Sequence, residues 1–406
     1  MAVMCSGTSS DRYESETDDA CLDRSEKTIR DVYVLGVGVH PFGRFADKDV
    51  IEIAREAVLR AIDDAGLPWQ KVGAAYCGTV FAGPMAGNKV LARVGLTGIP
   101  TVNVENACAS GGSALREAYQ AVAGGFCDVA IAFGMEKMPK GFIAGNPNDW
   151  FAVMGLAVNP QYFALKARWH MATFGTTEKH LVQVSVKNHR NGALNPFAMY
   201  KKAMSFDEIA NSQMVNDPLR LLMLCAPNEG AAAVVLCSKD VARRYSTKLI
   251  KLAAIVLDSP VYGTTEVPHI SVSARVDAPT VTMTAAAEAY EKAGIGPHDL
   301  DLVELQDTDS ASEIIYTEEL GLCARGEGAK LLEDGETEID GRIPVNVSGG
   351  LLSKGEPLGA SALAQIAEVV WQLRGEADAR QVKDARTGMT HVYGALGNCA
   401  VSVLQS

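Results

Sequence analysis

The chain carries the same supersecondary pattern twice, and this repeat constrains its fold more than any other sequence feature. Residues 285–308 repeat the order of residues 57–80: an apolar helical stripe, an Ala-Gly stop, a short loop with a proline, and a strand-like run. Gly294 stands where Gly66 stands in the first copy, and both are predicted to end a helix. Two similar α/β halves that pack together explain this repeat most simply.

Strand-like and helix-like segments alternate within each half, which is typical of an α/β protein with a mostly parallel sheet. Residues 32–39 form a short apolar run that predicts a strand buried on both faces. Residues 49–65 show the apolar spacing of an amphipathic helix. We expect further core strands at 101–105, 128–133 and 400–404.

The predicted organisation has a tail and two halves. Residues 1–30 are polar and acidic and lack the apolar stretch of a signal peptide, so we expect a disordered tail. Residues 31–258 form the first half, with an inserted loop domain at about residues 143–222, and residues 259–406 form the second half. The insertion has a basic cluster that fits either a solvated face or an anion site. Its members are Lys187, His189, Arg190, Lys201 and Lys202.

The composition argues against several classes of function. Hydrophobic residues make up 48% of the chain and charged residues 21%, which suits a globular protein with a large core. The net charge of −12 argues against nucleic acid or an anionic membrane surface as the main partner. No run of about 18 apolar residues predicts a membrane span. Nine irregularly spaced cysteines without a CxxC pair favour a reducing cytoplasm and give no sign of a metal site.

Cys108 is the best candidate for a nucleophile. It lies between a predicted strand and a predicted helix, in residues 106–113 (NACASGGS). The unpaired N–H groups and the dipole at a helix N-terminus favour a thiolate, and small neighbours let a substrate approach. The same pattern also fits a buried cysteine in a tight turn.

Three other segments combine polar residues with strand ends or glycines. Residues 346–360 (NVSGGLLSKGEPLGA) form a loop whose N–H groups suit an oxyanion or phosphate, unless the glycines only permit a tight crossover. Residues 303–309 (VELQDTD) end a strand, where α/β proteins often place a site, although Thr308 or Asp309 also fits a helix N-cap. Residues 390–398 (THVYGALGN) hold a histidine and a tyrosine that are either catalytic or packed.

Together these segments resemble the thiolase superfamily, particularly the sterol-carrier-protein-type and lipid-transfer-like thiolases. The resemblance covers about residues 31–406 and rests on the motifs VENACASGGSAL, NPFAMYKK and VNVSGGLLSKGEPLGA. It implies a five-layered α/β/α/β/α fold with two duplicated halves. It also implies a homodimer or a dimer of dimers, and coenzyme A as a substrate rather than a bound cofactor.

The resemblance also implies roles for individual residues. The cysteine loop of the family supplies the nucleophile, which maps onto Cys108. Glu356 replaces the histidine of the usual Gly-His-Pro motif, and the His-Asp-Cys-Phe motif of the sterol-carrier type begins here with Gln306. The second cysteine of classical thiolases, an acid/base, falls at Tyr393 to within about one residue.

These departures predict altered acid–base chemistry. A carboxylate raises the pKa of a nearby thiol, so either the helix N-terminus stabilises the Cys108 thiolate or Glu356 acts as general base. Gln306 can donate a hydrogen bond to an oxyanion, and Tyr393, with a reference pKa of about 10, is a better acid than base. The residues expected to bind the substrate or its oxyanion are Ser348, Gly349 and Gly394.

Three functions fit these residues. The first is an acyl-CoA C-acyltransferase that makes or cleaves a C–C bond next to a CoA thioester through acyl-Cys108. The second is a CoA-dependent retro-aldolase of steroid or lipid side-chain breakdown, in which Glu356 or Tyr393 removes a β-hydroxyl proton. Such lyases often need a small partner with an OB fold and a zinc ribbon. The third is a non-catalytic acyl-CoA or lipid carrier. The intact cysteine loop favours the first interpretation.

Overall fold

The computed structural model describes residues 29–143, 148, 150–156, 158–261, 264–267, 270–273 and 279–406. The strands are β1 (Val32–Gly43), β2 (Ala74–Gly78), β3 (Thr101–Val104), β4 (Val129–Lys137), β5 (Met214–Asn216), β6 (Leu219–Arg220), β7 (Glu229–Ser238), β8 (Ile250–Asp258), β9 (Thr264–Val267), β10 (Ile270–Ser273), β11 (Leu302–Glu304), β12 (Thr387–Tyr393) and β13 (Cys399–Gln405). The α-helices are α1 (Val50–Ala65), α2 (Ala86–Val94), α3 (Ser110–Ala123), α4 (Trp150–Val153), α5 (Asn159–Phe174), α6 (Glu178–Ala193), α7 (Phe206–Ala210), α8 (Lys239–Tyr245), α9 (Val281–Ala293), α10 (Ser310–Glu319), α11 (Gly328–Glu333), α12 (Gly350–Ser353) and α13 (Leu358–Arg374). None of these helices is long and apolar enough to cross a membrane.

The predicted tail, residues 1–30, lies outside the described residues except at its end. Arg30 belongs to the folded part, because its N–H donates to Ala123 O over 3.1 Å and its guanidinium lies 2.8 Å from Asp128. The fold therefore begins slightly before the predicted position.

Nine strands of the described chain form one sheet in the order β11-β12-β13-β8-β1-β7-β4-β2-β3. The pairs β2–β3, β2–β4 and β11–β12 are parallel, whereas β1–β7, β4–β7, β12–β13 and β8–β13 are antiparallel. The prediction of a mostly parallel sheet is therefore wrong. The physical reason is that strands buried on both faces read as the same apolar runs, whichever way they pass through the sheet.

Helices cover both outer faces of the two halves and also fill the space between them. α1 and α2 pack on the outer face of the first half, α9 packs on that of the second, and α3 and α13 lie between the inner faces. Alternate residues of β1 pack on opposite sides of the sheet. Val32 and Val34 face α3 and α13, whereas Tyr33 and Leu35 face α1 and α2. The predicted α/β/α/β/α layering of two halves is confirmed.

The repeated sequence folds as a repeated structure. In each copy the first helix ends at a glycine in the left-handed region, Gly66 with φ 61° and Gly294 with φ 68°. The strand that follows makes the same contact in both copies. Val303 N–H donates to Pro344 O over 2.9 Å, as the equivalent N–H of β2 donates to Pro100 O over 3.0 Å. The contacts confirm the register inferred from the glycines.

The central helices meet the sheet where only glycine fits. A Cβ added to Gly134 of β4 would lie 1.7 Å from Gly359 O in α13, and one added to Gly111 of α3 would lie 2.7 Å from the same oxygen. The first turns of α3 and α13 therefore touch backbone to backbone. The residues just before these helices, Cys108 and Glu356, are brought together by this contact.

The chain between β4 and β7 forms α4 to α7 and the β5–β6 hairpin in its described part. Its helix α6 is tied to the second half by buried polar contacts. Lys187 Nζ lies 2.7 Å from Glu313 Oε1, and Asn188 Nδ2 donates to Asp307 Oδ2 over 2.8 Å. The segment therefore braces the residues that follow β11.

The basic cluster predicted in this segment is not a single surface. Lys187 and His189 are buried, and burial lowers the pKa of His189 to about 4. Arg190 and Lys202 each form an ion pair with a glutamate. Since its members lie in different environments, the five residues do not form one continuous surface.

Candidate active site

The Cys108 thiol is presented by a strained loop directly before α3. Ala107 has φ 50°, a left-handed conformation that costs a non-glycine residue about 1–2 kcal/mol. Hydrogen bonds hold the loop in place: Asn106 Nδ2 donates to Ser113 Oγ over 2.8 Å, and Ser110 Oγ donates to Ala107 O over 2.6 Å. Strain of this kind, maintained by surrounding contacts, is typical of functional sites.

Cys108 lines a cavity of about 210 Å³. The wall is mainly apolar and includes Val80, Phe81, Phe142, Ile143, Phe163, Leu224 and Leu358. Polar wall residues include Cys225, Thr308 and Glu356. An apolar pocket with a few convergent polar groups suits an apolar ligand whose reactive end is held by those groups.

Glu356 is the centre of a hydrogen-bonded cluster at this wall. Its Oε2 accepts a hydrogen bond from Cys225 Sγ over 3.0 Å, and its Oε1 accepts one from Gln306 Nε2 over 2.7 Å. The Cys108 thiol lies beside this carboxylate on the cavity wall and lowers the pKa of Glu356. Glu356 is buried, and these contacts compensate for much of the water that it loses. Among the residues that the structure describes, no group of three or more side chains is arranged to hold a metal.

Burial raises the pKa of each acid in the cluster. For the Cys108 thiol, burial and then the charge of Glu356 raise the pKa well above its ordinary value, against the opposing effect of backbone N–H groups. The same two causes raise the pKa of Cys225. Burial also raises the pKa of Glu356, and hydrogen bonds from the thiols and Gln306 oppose it. The burial of Cys108 and the neighbouring charge of Glu356 therefore favour the protonated thiol, and with it the alternative in which Glu356 acts as general base.

Gly394 lies against the nucleophile loop but donates elsewhere. A Cβ added to it would lie 2.7 Å from Asn106 O, so only glycine fits. Its N–H donates to Asn398 O over 2.6 Å, whereas the backbone N–H of Ala395 is one of the groups that lower the pKa of the Cys108 thiol. Ala395 also lines the cavity. The residue of this turn that reaches the cavity is thus the one after the predicted Gly394.

Ser348 and Gly349 do not reach the cavity wall. The Ser348 N–H donates to Glu304 Oε1 over 2.9 Å, and its hydroxyl accepts from Lys354 Nζ over 3.0 Å. Gly349 has φ 95°, and a Cβ added to it would lie 2.6 Å from Gly192 Cα in α6. Their predicted role in binding substrate is replaced by a role in packing α6 against the second half.

The N–H groups of the glycine-rich loop do bind an acidic group, but that group is the carboxyl of Asp307 in the chain itself. Leu351 N–H donates to Asp307 Oδ1 over 2.6 Å, and Leu352 N–H donates to Asp307 Oδ2 over 3.3 Å. The predicted N–H site at the start of α12 is therefore occupied by Asp307.

Tyr393 faces away from Cys108. Its ring stacks on Tyr316 with centroids 6.2 Å apart, in the core that contains α9. Successive strand residues point to opposite faces, and the preceding residue, Val392, is the one that packs in the cluster with Cys108. The β12 residue beside Cys108 is thus a valine, which cannot exchange a proton. The prediction of Tyr393 as the acid is corrected accordingly.

Gln306 lies behind Glu356 rather than on the cavity wall. It is 1% exposed, and its amide donates to the carboxylate instead of to an oxyanion site. Farther along the same segment, Asp309 Oδ1 accepts from Ser312 N–H over 3.1 Å, which confirms the helix-cap interpretation for α10. Gln306 therefore positions Glu356.

Cys225 is the residue that the sequence prediction missed. Its N–H donates to Thr308 O over 2.9 Å, and the Glu356 N–H donates to Ala226 O over 3.0 Å. These backbone contacts fix the segment before β7 against residues 303–309 and residues 346–360 of the second half. In the sequence Cys225 is one of nine irregularly spaced cysteines. The one feature that could have marked it as a site residue was its position just before a predicted buried strand.

Two α/β halves thus bring a thiol and a carboxylate together before two central helices, on the wall of one apolar cavity. Comparison with known proteins identifies the family. The family model for the thiolase N-terminal domain matches residues 32–240, and the model described as thiolase C-terminal domain-like matches residues 264–406. The chain belongs to the thiolase family.

Individual relatives agree with this assignment. The chain is 43% identical over 383 residues to an acetyl-CoA acetyltransferase of Methanothermobacter thermautotrophicus, covering 92% of this chain and 98% of the relative. It is 37% identical to sterol carrier protein 2 of Bos taurus, covering 94% and 74%. Among solved structures, the Ltp2-ChsH2(DUF35) aldolase matches with a TM-score of 0.81 at 25% identity, covering 93% of this chain and 98% of that one. The chain is thus an acyltransferase of the thiolase superfamily.

Proposed function

We propose that this protein transfers an acyl group to or from coenzyme A through acyl-Cys108, and makes or cleaves a C–C bond next to the thioester. The observation that carries this proposal is the contact of Cys108 with Glu356 on the wall of an apolar cavity. A CoA thioester is the substrate, and its acyl chain occupies the apolar part of the pocket. The acetyl-CoA acetyltransferase relative supports this class of substrate.

Glu356 is the general base in this proposal. The Cys108 proton passes to the Glu356 carboxylate as the sulfur attacks the carbonyl carbon. The backbone N–H groups of Cys108 and Ala395 both lower the pKa of the thiol, and we assign to them the stabilisation of the oxygen that becomes negative. Gln306 keeps the carboxylate aimed at the thiols through its 2.7 Å hydrogen bond.

Intact mass spectrometry with a panel of acyl-CoA and 3-ketoacyl-CoA esters tests the covalent step. We expect a mass gain equal to the acyl group, and no gain in Cys108→Ala, because this variant has no sulfur at the reacting position. Cys127→Ala is the control: Cys127 is also partly buried but does not line the cavity, so its adduct should match that of the native chain. An unmodified native chain with every ester would contradict acyl transfer for that panel.

A retro-aldolase is the second candidate, because of the structural match to the Ltp2-ChsH2(DUF35) aldolase. In that case Glu356 removes the β-hydroxyl proton of a 3-hydroxyacyl-CoA, and no acyl-enzyme forms. A small OB-fold and zinc-ribbon partner, in the manner of the DUF35 protein named there, belongs to this proposal. Cleavage of a 3-hydroxyacyl-CoA without a Cys108 adduct, measured with and without such a partner, would favour it over acyl transfer.

We also propose a homodimer, or a dimer of dimers, in the cytoplasm. β3 is the last strand of the sheet and Val102 on it is 43% exposed, so this edge is available for pairing. Unpaired cysteines such as Cys77 and Cys237 suit a reducing compartment. Light scattering that gave the mass of a single chain would contradict the dimer.

A further inference from the structure

We propose that Cys225 is the second catalytic thiol, which exchanges a proton with the substrate carbon while Cys108 carries the acyl group. This inference rests on the proposed acyltransferase function and extends it to a residue outside the motifs by which the family resemblance was drawn. Two observations support it: the hydrogen bond that holds Cys225 to Glu356 on the cavity wall, and the chemistry that a C–C bond next to a thioester requires.

The first observation is that the backbone holds the thiol at the reacting centre. Cys225 Sγ lies 3.0 Å from Glu356 Oε2 and shares the cavity wall with Cys108. The backbone around Cys225 is fixed, because the N–H of Cys225 donates to Thr308 O and the carbonyl of Ala226 accepts from Glu356 N–H. The carboxylate therefore faces two thiols at once.

The second observation concerns what the reaction needs. When the C–C bond breaks, the carbon next to the thioester keeps the electron pair and must take a proton. Cys108 cannot supply it, because its sulfur is then bonded to the acyl group. Val392, the β12 residue that packs with Cys108, has no exchangeable proton, and Tyr393 faces the other side of the strand. Cys225 is a proton donor on the same wall.

The protons and electrons balance in this scheme. The Cys108 proton moves to Glu356, the sulfur attacks the 3-keto carbon, and the bond to the α-carbon breaks. The α-carbon takes the Cys225 proton, which leaves a Cys225 thiolate and releases the CoA thioester that contains this carbon. Glu356 then returns its proton to Cys225 along their 3.0 Å hydrogen bond. The coenzyme A thiol next attacks acyl-Cys108, and its proton ends on the Cys108 sulfur. In the condensing direction every step reverses.

The burial of Cys225 fits this role. Burial and the charge of Glu356 raise the pKa of its thiol, so it carries a proton at rest and gives it up only to a stronger base. A carbanion next to a thioester is such a base. The same Glu356 that receives the Cys108 proton is already bonded to Cys225, so no other proton carrier is needed.

Exchange of the methyl hydrogens of acetyl-CoA in D₂O tests the proposal without requiring the natural acyl chain. The native enzyme should exchange them, and Cys225→Ala should lose exchange by at least ~10²-fold, the usual contribution of a positioned acid or base. In the same samples acyl-Cys108 should still form in Cys225→Ala, because Cys108 and Glu356 remain. Cys127→Ala is the matched control and should exchange as the native chain does.

Cys225→Ser guards against misfolding, since a serine fills nearly the same space and can keep the hydrogen bond to Glu356. Its hydroxyl is a far weaker acid, so it too should lose exchange by at least ~10²-fold while the thermal midpoint stays near that of the native chain. Exchange within about threefold of native in either folded variant would overturn the role of Cys225 alone. If the native enzyme shows no exchange with acetyl-CoA and no acylation with any ester of the panel, the proposed function fails and this inference fails with it.

Discussion

Glu356→Gln should slow the acylation of Cys108 by ~10²–10⁴-fold, the range that a positioned general base contributes. The amide fills the place of the carboxylate and still accepts hydrogen bonds, but it cannot take the thiol proton. Removing the negative charge also lowers the pKa of Cys108, because that charge is one cause of the raised value. We expect the loss of the base to dominate, since the thiol remains buried. Single-turnover quench experiments with mass detection of acyl-Cys108 measure the rate.

The pH dependence gives an independent check of the same residue. Burial raises the pKa of Glu356, and a base must be ionised to act, so acylation by the native enzyme should fall as the pH drops through that raised value. Glu356→Gln should lose this acidic limb. Glu356→Asp is the matched control, because it keeps an ionisable carboxyl and should retain the limb at a reduced rate. A native-like rate in Glu356→Gln would remove Glu356 from the mechanism.

Lys187→Met should destabilise the protein by about 3–5 kcal/mol, the usual result of removing one partner of a buried ion pair. Lys187 Nζ lies 2.7 Å from Glu313 Oε1 and also donates to Val345 O over 2.7 Å. Both side chains of the ion pair are almost fully buried, so the variant leaves the charge of Glu313 without its cation. Thermal and denaturant unfolding of the variant and the native chain measure the difference.

Two controls separate this effect from a general loss of charge. Adding Glu313→Gln to Lys187→Met removes the uncompensated charge and should restore part of the lost stability. Lys202→Met removes a lysine from the exposed pair with Glu208 on the same inserted segment, and should change stability little because solvent screens that pair. If both single variants behave alike, the buried pair is not what braces α6 against the second half.

Much of the fold followed from local pattern. The glycines at positions 66 and 294 mark helix ends that only a left-handed residue satisfies, so the repeat and its register were visible in the sequence. The end of the first helix was equally clear, since α1 ends at Gly66 as predicted. Strand direction was not visible, because apolar alternation is the same for parallel and antiparallel neighbours.

The site divides in the same way. By itself the sequence determined the duplicated α/β architecture, the placement of Cys108 before a central helix, and the substitution of Glu356 for a histidine, because each is written in contiguous residues. Only the tertiary structure decided that Cys225 donates to Glu356, since these residues are 131 positions apart and no local period links them. It also decided that Val392 rather than Tyr393 packs beside Cys108. The physical reason is that successive side chains of a strand point to opposite faces. An error of one position in the alignment of β12 therefore selects a side chain that points away from Cys108.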